Sequence, residues 1–226
     1  MTRVLYDLAG ADPAVRFSPY CWRTKLALAH KGLSVETVPW RFSDKEALAF
    51  SGQGRVPVLV DGEKTVTDSW AIALYLDETY PDRPSLFGGA AVGATRFVNA
   101  WADTTLNGGI SRLIVSDIAA IIDDKDKAYF HESRERRFGM PLEQVTAGRA
   151  ERVTAFRETL LPLRQTLSAQ AYLGGAEPTY ADYIVLGSFQ WARCCSRFEL
   201  LEPGDPVAGW RERMLDRFDG LARNAA

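Results

Sequence analysis

The chain has 226 residues, of which 46% are hydrophobic and 25% are charged, a composition typical of one large globular domain or two small ones. Its 27 Lys and Arg residues and 29 Asp and Glu residues leave a formal net charge of −2, without a basic block, so nucleic acid and anionic membranes are not expected partners. No apolar run reaches the roughly 20 residues that span a bilayer, and the first residues lack a signal-peptide pattern. We therefore expect a cytoplasmic protein that has no contact with membranes.

The cysteines and histidines are few and scattered. Cys21, Cys194 and Cys195 are an odd number with one adjacent pair, which predicts no disulfide framework and favours a reducing compartment. His30 and His131 are the only histidines, and the sequence has no Cys-x-x-Cys pair. We therefore predict no metal site.

The first 80 residues alternate short β-branched runs with helical stretches. The pattern predicts, in chain order, a strand over 4–8, a helix over 19–31, a strand over 34–38, a weaker helix over 44–50, strands over 56–60 and 64–67, and a helix over 69–79. An Asp61-Gly62 pair between the last two strands predicts a two-residue hairpin turn. This βαβ-ββα order is that of a thioredoxin-like α/β domain, which we place at residues 1–80.

The second part of the chain reads as helices alone. Residues 81–89 contain two prolines and two glycines and cannot continue a helix, so we assign them to a linker. Residues 90–226 then form an all-helical domain. The predicted helices lie at roughly 90–105, 110–122, 133–138, 142–169, 180–195 and 207–222.

Ser18-Pro19-Tyr20-Cys21 lies between the first strand and the first helix. Proline is favoured at the first helical position, and a serine before it is an ordinary helix cap. The same corner resembles the Cys-Pro-Tyr-Cys redox site of glutaredoxins with its first cysteine replaced by serine. Cys21 is then either a remnant of a resolving cysteine or a small buried residue, and we favour the second.

A serine at this position can act on the sulfur of a bound ligand. Its hydroxyl donates a charge-assisted hydrogen bond to a thiolate, which is worth roughly 1.5 to 3 kcal/mol, and the helix dipole adds about 0.3 to 1 kcal/mol. Because one pK unit corresponds to about 1.36 kcal/mol, the two effects lower a thiol pKa from about 8.5 by one to two units. Ser18 is therefore the candidate catalytic residue.

Two further short motifs suggest ligand contacts. Pro57 opens a strand that otherwise reads as buried, so Val56-Pro57 is either a cis bond or a trans proline on an edge strand. We predict the cis form, which leaves the Val56 backbone free to pair with a bound peptide. Asp68-Ser69 begins the next helix, where Ser69 and the helix N-terminus offer donors to a carboxylate and Asp68 offers a partner to an amine.

Three stretches together resemble a cytosolic glutathione transferase over the whole chain. They are Ser18-Pro19-Tyr20-Cys21-Trp22-Arg23, Val56-Pro57-Val58-Leu59-Val60 and Asp68-Ser69-Trp70-Ala71-Ile72-Ala73. Within that superfamily, the third stretch, the linker from Tyr80 to Pro84 and Phe218-Asp219-Gly220-Leu221 resemble the bacterial β-etherases and their fungal etherase-related relatives. Members of that group use glutathione on aryl ethers or other aromatic electrophiles.

The resemblance implies roles for individual residues. Ser18 is the expected thiol-activating residue and glutathione the co-substrate, and the expected glutathione-binding residues are Gln53, Arg55, Val56, Pro57, Asp68 and Ser69. It also implies a homodimer. Thr179-Tyr180-Ala181-Asp182 matches the family's capping box, so we assign Asp182 a structural role.

A conjugating enzyme also needs an apolar pocket for its second substrate. The residues that we expect to line it are Tyr20, Trp22, Trp101, Leu106 and Ile110, with the 107–109 stretch widening its mouth. We assign the charged run 134–137 to a solvated helix face.

The sequence thus predicts a glutathione transferase that attacks an aromatic or hydrophobic electrophile, with β-aryl ether cleavage as one form of that reaction. Two alternatives remain open. One is a non-catalytic, glutathione-dependent carrier of hydrophobic aromatic ligands, and the other is a glutathione-dependent disulfide reductase that uses Cys21.

Overall fold

Four strands form one mixed sheet in a computed structural model that describes residues 2–89 and 92–225. The strands are β1 (Arg3–Leu8), β2 (Glu36–Trp40), β3 (Val58–Asp61) and β4 (Lys64–Thr67). The sheet order is β2-β1-β3-β4, in which β1 pairs parallel with β2 and antiparallel with β3. Helices α1 (Pro19–His30) and α2 (Ser69–Thr79) complete this part of the chain. The predicted βαβ-ββα, thioredoxin-like arrangement is confirmed.

Two local predictions in the sheet need correction. Asp61 pairs with Lys64, so the hairpin turn consists of Gly62 and Glu63, one residue later than predicted. Gly62 has a φ of 61°, which glycine adopts at little steric cost. The second strand lies two residues later than predicted and continues through Pro39, which is tolerated because β2 is an edge strand. The weak helix predicted over 44–50 is a 3₁₀ helix, Lys45–Ser51.

Helices make up nearly all of the regular structure after residue 91. They are α3 (Val92–Trp101), α4 (Asn107–Ile121), α5 (Asp124–Phe138), α6 (Leu142–Thr146), α7 (Arg149–Glu158), α8 (Leu161–Ala169), α9 (Tyr180–Cys195) and α10 (Pro206–Leu215), with a π-helical turn (Ala102–Leu106) between α3 and α4. A turn at Arg217–Gly220 and a 3₁₀ segment at Arg223–Ala225 follow. No helix in the two described segments combines the length and the apolar content needed to cross a bilayer.

The helix boundaries differ from the prediction where local breakers act. The stretch predicted over 142–169 divides into α6, α7 and α8, because Gly148 has a φ of 66° and Pro162 favours the start of a new helix. The π-helical turn joins α3 to α4 without the interruption expected at 107–109. The helix predicted over 133–138 is the last part of α5, and the one predicted over 207–222 ends at Leu215. Ala90 and Ala91, the predicted start of α3, lie outside the described residues.

Helix α9 packs against both the sheet-containing part and the other helices. Its bounds match the prediction, most of its residues are buried, and it packs against α1. A Cβ atom at Gly187 would lie 2.5 Å from the Pro19 carbonyl oxygen, so the two helix backbones approach closely. Asp182 accepts hydrogen bonds from the Thr179 N–H and from Trp210 Nε1, which confirms the capping box and gives Asp182 a structural role.

Candidate active site

Ser18 is the N-cap of α1 and lies on the wall of a cavity. Its backbone is extended (φ −64°, ψ 125°), and Pro19 occupies the first helical position. Its Oγ accepts a hydrogen bond from the Cys21 N–H at 3.2 Å. The Cys21 thiol also lies near this hydroxyl, but burial keeps that thiol protonated and therefore a weak acceptor. The Ser18 hydroxyl can therefore donate to a group in the cavity.

The bond between Val56 and Pro57 is cis, as predicted. Pro57 is buried, whereas Val56 lines the same cavity as Ser18. Neither the N–H nor the C=O of Val56 bonds to any residue in the described part of the chain. The Val56 backbone is therefore available to a ligand.

Asp68 and Ser69 cap α2 rather than line the cavity. The Asp68 carboxylate accepts from the N–H groups of Trp70 (3.0 Å) and Ala71 (3.1 Å). Asp68 has a φ of 73°, and non-glycine residues with such backbone angles cluster at functional sites. Ser69 is buried, and its carbonyl accepts a hydrogen bond from the Tyr180 hydroxyl at 2.7 Å. The pair therefore anchors α2 to α9.

The cavity has a volume of about 650 Å³ and lies between the sheet-containing part and the helices that follow it. The first part contributes Ser18, Tyr20, Phe42, Lys45, Arg55 and Val56. Helix α4 contributes Asn107, Ser111, Val115 and Ile118, and helix α5 contributes Tyr129, Phe130, Ser133, Arg134, Arg137 and Phe138. A drug-sized ligand fits a space of this size and lining.

The prediction of the apolar pocket is wrong for most of its residues. Tyr20 does line the cavity, where burial raises the pKa of its phenol and keeps it protonated. Trp22, Leu106 and Ile110 are at most 1% exposed and belong to the core, because their helices turn these apolar side chains inward. Trp101 packs against the core and also lies off the cavity wall.

Two polar residues were expected beside the Val56 clamp. Arg55 lies on the cavity wall, as does Val56 itself. Gln53 is half-buried and does not line the cavity. The structure thus brings Ser18, Tyr20, Arg55 and Val56 together on the cavity wall, which does not include Gln53, Pro57 or the α2 cap.

The part of the wall that the sequence did not reveal comes from the loop after β2 and from α5. Asp126 is buried and accepts from the N–H groups of Phe42 (3.1 Å) and Ser43 (2.8 Å), which fixes the loop to the helix. The Arg134 guanidinium lies over the rings of Phe42 and Phe130, 5.3 and 4.8 Å from their centroids. Arg134 is half-buried, so the predicted solvated face over 134–137 is wrong at this position.

The charges on the cavity wall are mostly positive. Lys45, Arg55, Arg134 and Arg137 line it, against the single carboxylate of Asp103. Asp103 is already paired with the buried Arg23 at 2.8 Å. The cavity therefore suits an anionic ligand.

The thiols are poorly placed for chemistry. Burial, followed by the nearby charge of Asp7, raises the pKa of Cys21 well above its usual value. Burial also raises the pKa of Cys194 to about 11 and that of Cys195 well above its usual value. None of the three lines the cavity.

Two family models match the chain. The model described as glutathione S-transferase, N-terminal domain, matches residues 13–84, and the one described as glutathione S-transferase, C-terminal domain, matches residues 94–219. Glutathione S-transferase Z1 of Arabidopsis thaliana is 42% identical over 69 residues, which cover 28% of this chain and about a third (31%) of that protein. Glutathione S-transferase U28 of the same plant is 24% identical over 208 residues, which cover 88% of this chain and 81% of that protein.

Solved structures share the fold along the whole chain. Glutathione transferase GSTFuA3 of Phanerochaete chrysosporium superposes with a TM-score of 0.84 at 24% identity and 97% coverage of both chains. Glutathione S-transferase CsGST63524 of Ceriporiopsis subvermispora, solved in complex with glutathione, gives a TM-score of 0.75 at 25% identity, with 99% of this chain and 94% of that chain covered. The two family models together span both structural parts, and the chain therefore belongs to the glutathione S-transferase family.

Proposed function

We propose that this protein is a glutathione transferase that binds glutathione beside Ser18 and joins it, through its sulfur, to a hydrophobic, aromatic electrophile. The observation that carries the proposal is the Ser18 hydroxyl, which caps α1 and lies at the wall of a cavity lined with aromatic side chains. Family membership supports glutathione as the co-substrate, and a structural neighbour was solved in complex with it.

The reaction needs a stabilised glutathione thiolate and an electrophile bound in the correct orientation beside it. The Ser18 hydroxyl donates to the sulfur of glutathione, and the dipole of α1 adds a favourable field at the same point. The free N–H and C=O of Val56 pair with the cysteinyl backbone of glutathione, as a sheet edge pairs with an added strand. Orientation of the two reactants then accounts for much of the rate enhancement.

The transfer step conserves atoms and charge. A sulfur lone pair forms the new sulfur–carbon bond while the carbon's bond to its leaving group breaks, and the leaving group departs with that electron pair. A halide leaves as the free ion, and an aryl ether leaves as a phenolate that takes a proton from water. β-Aryl ether cleavage is one case of this reaction and belongs to the same proposal.

The remaining assignments extend the proposal around this centre. Arg55 offers a cation to a glutathione carboxylate, and the Ser69 N–H at the start of α2 offers a donor to the γ-glutamyl group, beside the carboxylate of Asp68. Gln53 stays a predicted glutathione contact. Domain limits at 80 and 90, and the homodimer, stay predictions.

The test measures the ionisation of bound glutathione. Its thiolate absorbs in the ultraviolet, so we expect a titration from about pH 5 to 9 to show the bound thiol ionising one to two units below its free pKa of about 8.5. Ser18→Ala should remove most of that shift while calorimetry still shows glutathione binding. The matched control is Ser116→Ala, a serine of α4 that lies off the cavity wall and bonds to Thr146.

Each other outcome contradicts the proposal in a different way. Glutathione bound with an unshifted thiol would support the carrier alternative, and an absence of binding would overturn both. A shift that survives in Ser18→Ala would remove Ser18 from its assigned role. A loss of activity in Cys21→Ala with Ser18→Ala active would support the disulfide reductase.

A further inference from the structure

Four cations line the cavity without an anionic partner on its wall. Lys45, Arg55, Arg134 and Arg137 form no ion pair with any carboxylate among residues 2–89 and 92–225. The only acidic side chain on the wall, Asp103, is committed to Arg23. An excess of positive charge in a partly enclosed space attracts an anion.

Arg134 is the most constrained of the four. Its guanidinium lies over the faces of Phe42 and Phe130, and its Nη1 donates to Ser133 Oγ at 2.9 Å. The Tyr129 hydroxyl lies beside it as well, and the remaining N–H donors are available to a ligand. Burial lowers the pKa of Arg134, and the positive charges of Arg137 and Arg55 act in the same direction. A guanidinium nonetheless stays charged at neutral pH, so an anion in the cavity would relieve an unfavourable arrangement.

Arg134 lies on a different element from the residues of the expected glutathione site. Under the proposed function, glutathione lies along Ser18 and Val56, on the sheet-containing side, where Arg55 is available to one of its carboxylates. Arg134 projects into the cavity from α5, beside the aromatic rings of Phe42, Tyr129, Phe130 and Phe138. A molecule beside these rings meets aromatic surface and a guanidinium together.

A second polar group, the amide of Asn107, also faces the cavity. Asn107 is 7% exposed, and neither its Oδ1 nor its Nδ2 makes a hydrogen bond of standard geometry in the described part of the chain, although the amide lies near the Tyr20 hydroxyl. Leaving a buried amide unsatisfied costs about 1 to 3 kcal/mol, so such groups usually meet a ligand or water. Because Asn107 lies on the cavity wall, it marks a position where a bound molecule presents a polar atom.

We propose that the second substrate is an anionic aromatic molecule, which carries a carboxylate or another anionic oxygen group that Arg134 binds against the aromatic side of the cavity. This inference rests on the proposed function for the identity of the reaction. The binding preference itself does not depend on catalysis. It can therefore be tested with ligands that do not react.

The first experiment compares two non-reactive ligands that differ in charge. Calorimetry would measure the Kd of 4-nitrobenzoate and of uncharged 4-nitrobenzamide, with saturating glutathione present and without it. We expect the benzoate to bind at least about tenfold more tightly, as a charge-assisted hydrogen bond provides. Arg134→Gln should remove that preference while the benzamide Kd changes by less than about twofold, and Arg134→Lys should restore part of it.

Arg136→Gln is the matched control. Arg136 lies on the same helix and is exposed, with its guanidinium 2.6 Å from the Glu132 carboxylate. The substitution therefore removes the same charge from a position outside the cavity. We expect Arg136→Gln to leave the preference unchanged. Equal affinity of the two ligands for the native protein would overturn the inference. Competition between the benzoate and glutathione for binding would also overturn it. So would weaker glutathione binding in Arg134→Gln, because Arg134 would then belong to the glutathione site.

A second measurement separates this inference from the proposed function. Glutathione and 4-chloro-3-nitrobenzoate form a thioether and release chloride as the sulfur–carbon bond forms. The rate of this reaction is compared with the rate for 4-chloro-3-nitrobenzamide, each after subtraction of the uncatalysed rate. Preferential binding of the benzoate without any thioether would contradict the transferase and leave the anion site standing. Turnover of both compounds with the same KM would support the transferase and overturn the anion site.

Discussion

Ser18 and Cys21 lie three residues apart on the same corner of the fold and have opposite access to the cavity. The Ser18 hydroxyl meets the cavity wall, whereas Cys21 is fully buried with its Sγ 4.0 Å from the Tyr6 carbonyl oxygen. Because burial holds the pKa of the Cys21 thiol well above its usual value, this thiol stays protonated at neutral pH. A protonated, enclosed thiol is a poor nucleophile, and a dithiol cycle has no second cysteine at position 18.

Cys21→Ala should therefore leave conjugation nearly unchanged. We expect kcat/KM to stay within about twofold of the native value, since the thiolate belongs to glutathione, and the free energy of unfolding to fall by about 1 kcal/mol for the lost sulfur contacts. Steady-state kinetics and chemical denaturation measure the two quantities. Iodoacetamide should modify Cys21 only after unfolding, and a loss of activity beyond tenfold would return the thiol to the mechanism.

At the level of helices, the close approach of α9 to the start of α1 controls where Ser18 lies. A Cβ at Gly187 would lie 2.5 Å from the Pro19 carbonyl oxygen and 3.1 Å from Arg23 Cγ. The first of these is a backbone atom one residue after Ser18, so it cannot move without moving the cap. Gly187 therefore sets the distance between the two helices.

Gly187→Ala should reduce both stability and activity. The added methyl group forces the helices apart, which costs about 1 to 3 kcal/mol, and the displaced Ser18 should lower kcat/KM by about tenfold. Gly108→Ala is the control, because a Cβ there meets nothing within 4 Å and should stabilise α4 by up to about 1 kcal/mol. Thermal unfolding gives Tm and steady-state kinetics give kcat/KM for both variants. Equal values of Tm and kcat/KM in the two variants would contradict this role of Gly187.

The elements that the sequence predicts well are those with local signals. Strand β4 and helices α2 and α9 have the predicted bounds, because a hairpin, an aspartate cap and a capping box mark their ends. The break of the predicted 142–169 helix at Gly148 was missed, since one glycine is tolerated in many helices and only its positive φ ends this one. A π-helical turn has no sequence signal that distinguishes it from the α-helices on either side.

Across the whole molecule, the cavity is a property of how the two parts meet, and this is why its lining was predicted poorly. Ser18 and Val56 carry local signals that place them on the wall. Phe42 and Arg134 carry none, because each reaches the cavity only after Asp126 fixes the loop after β2 to α5. A charged run such as 134–137 is polar in sequence whether its arginines face water or a ligand.

His30 connects three regions of the chain across that junction. It lies at the end of α1, and its ring nitrogens contact the Tyr183 hydroxyl of α9 at 2.6 Å and the Ser85 carbonyl oxygen of the linker at 3.1 Å. A carbonyl oxygen only accepts, so Nε2 carries a proton, and in the neutral ring Nδ1 accepts from the Tyr183 hydroxyl. Burial lowers the pKa of His30 in agreement with this geometry.

Stability should consequently decline on mild acidification, and His30 should account for part of the decline. In the unfolded chain His30 binds a proton as the pH falls through about 6.5, whereas in the folded chain it does so only at lower pH. The free energy of unfolding therefore decreases as the pH falls from about 6.5 to the lowered pKa. His30→Gln does not titrate and should make Tm less sensitive between about pH 7.5 and 5 than that of the native protein. His131→Gln replaces the other histidine, which is more exposed on α5 beside Glu135, and should leave the native pH dependence in place. If the His30→Gln protein loses as much Tm as the native protein over this range, the neutral ring at the junction does not control the acid response.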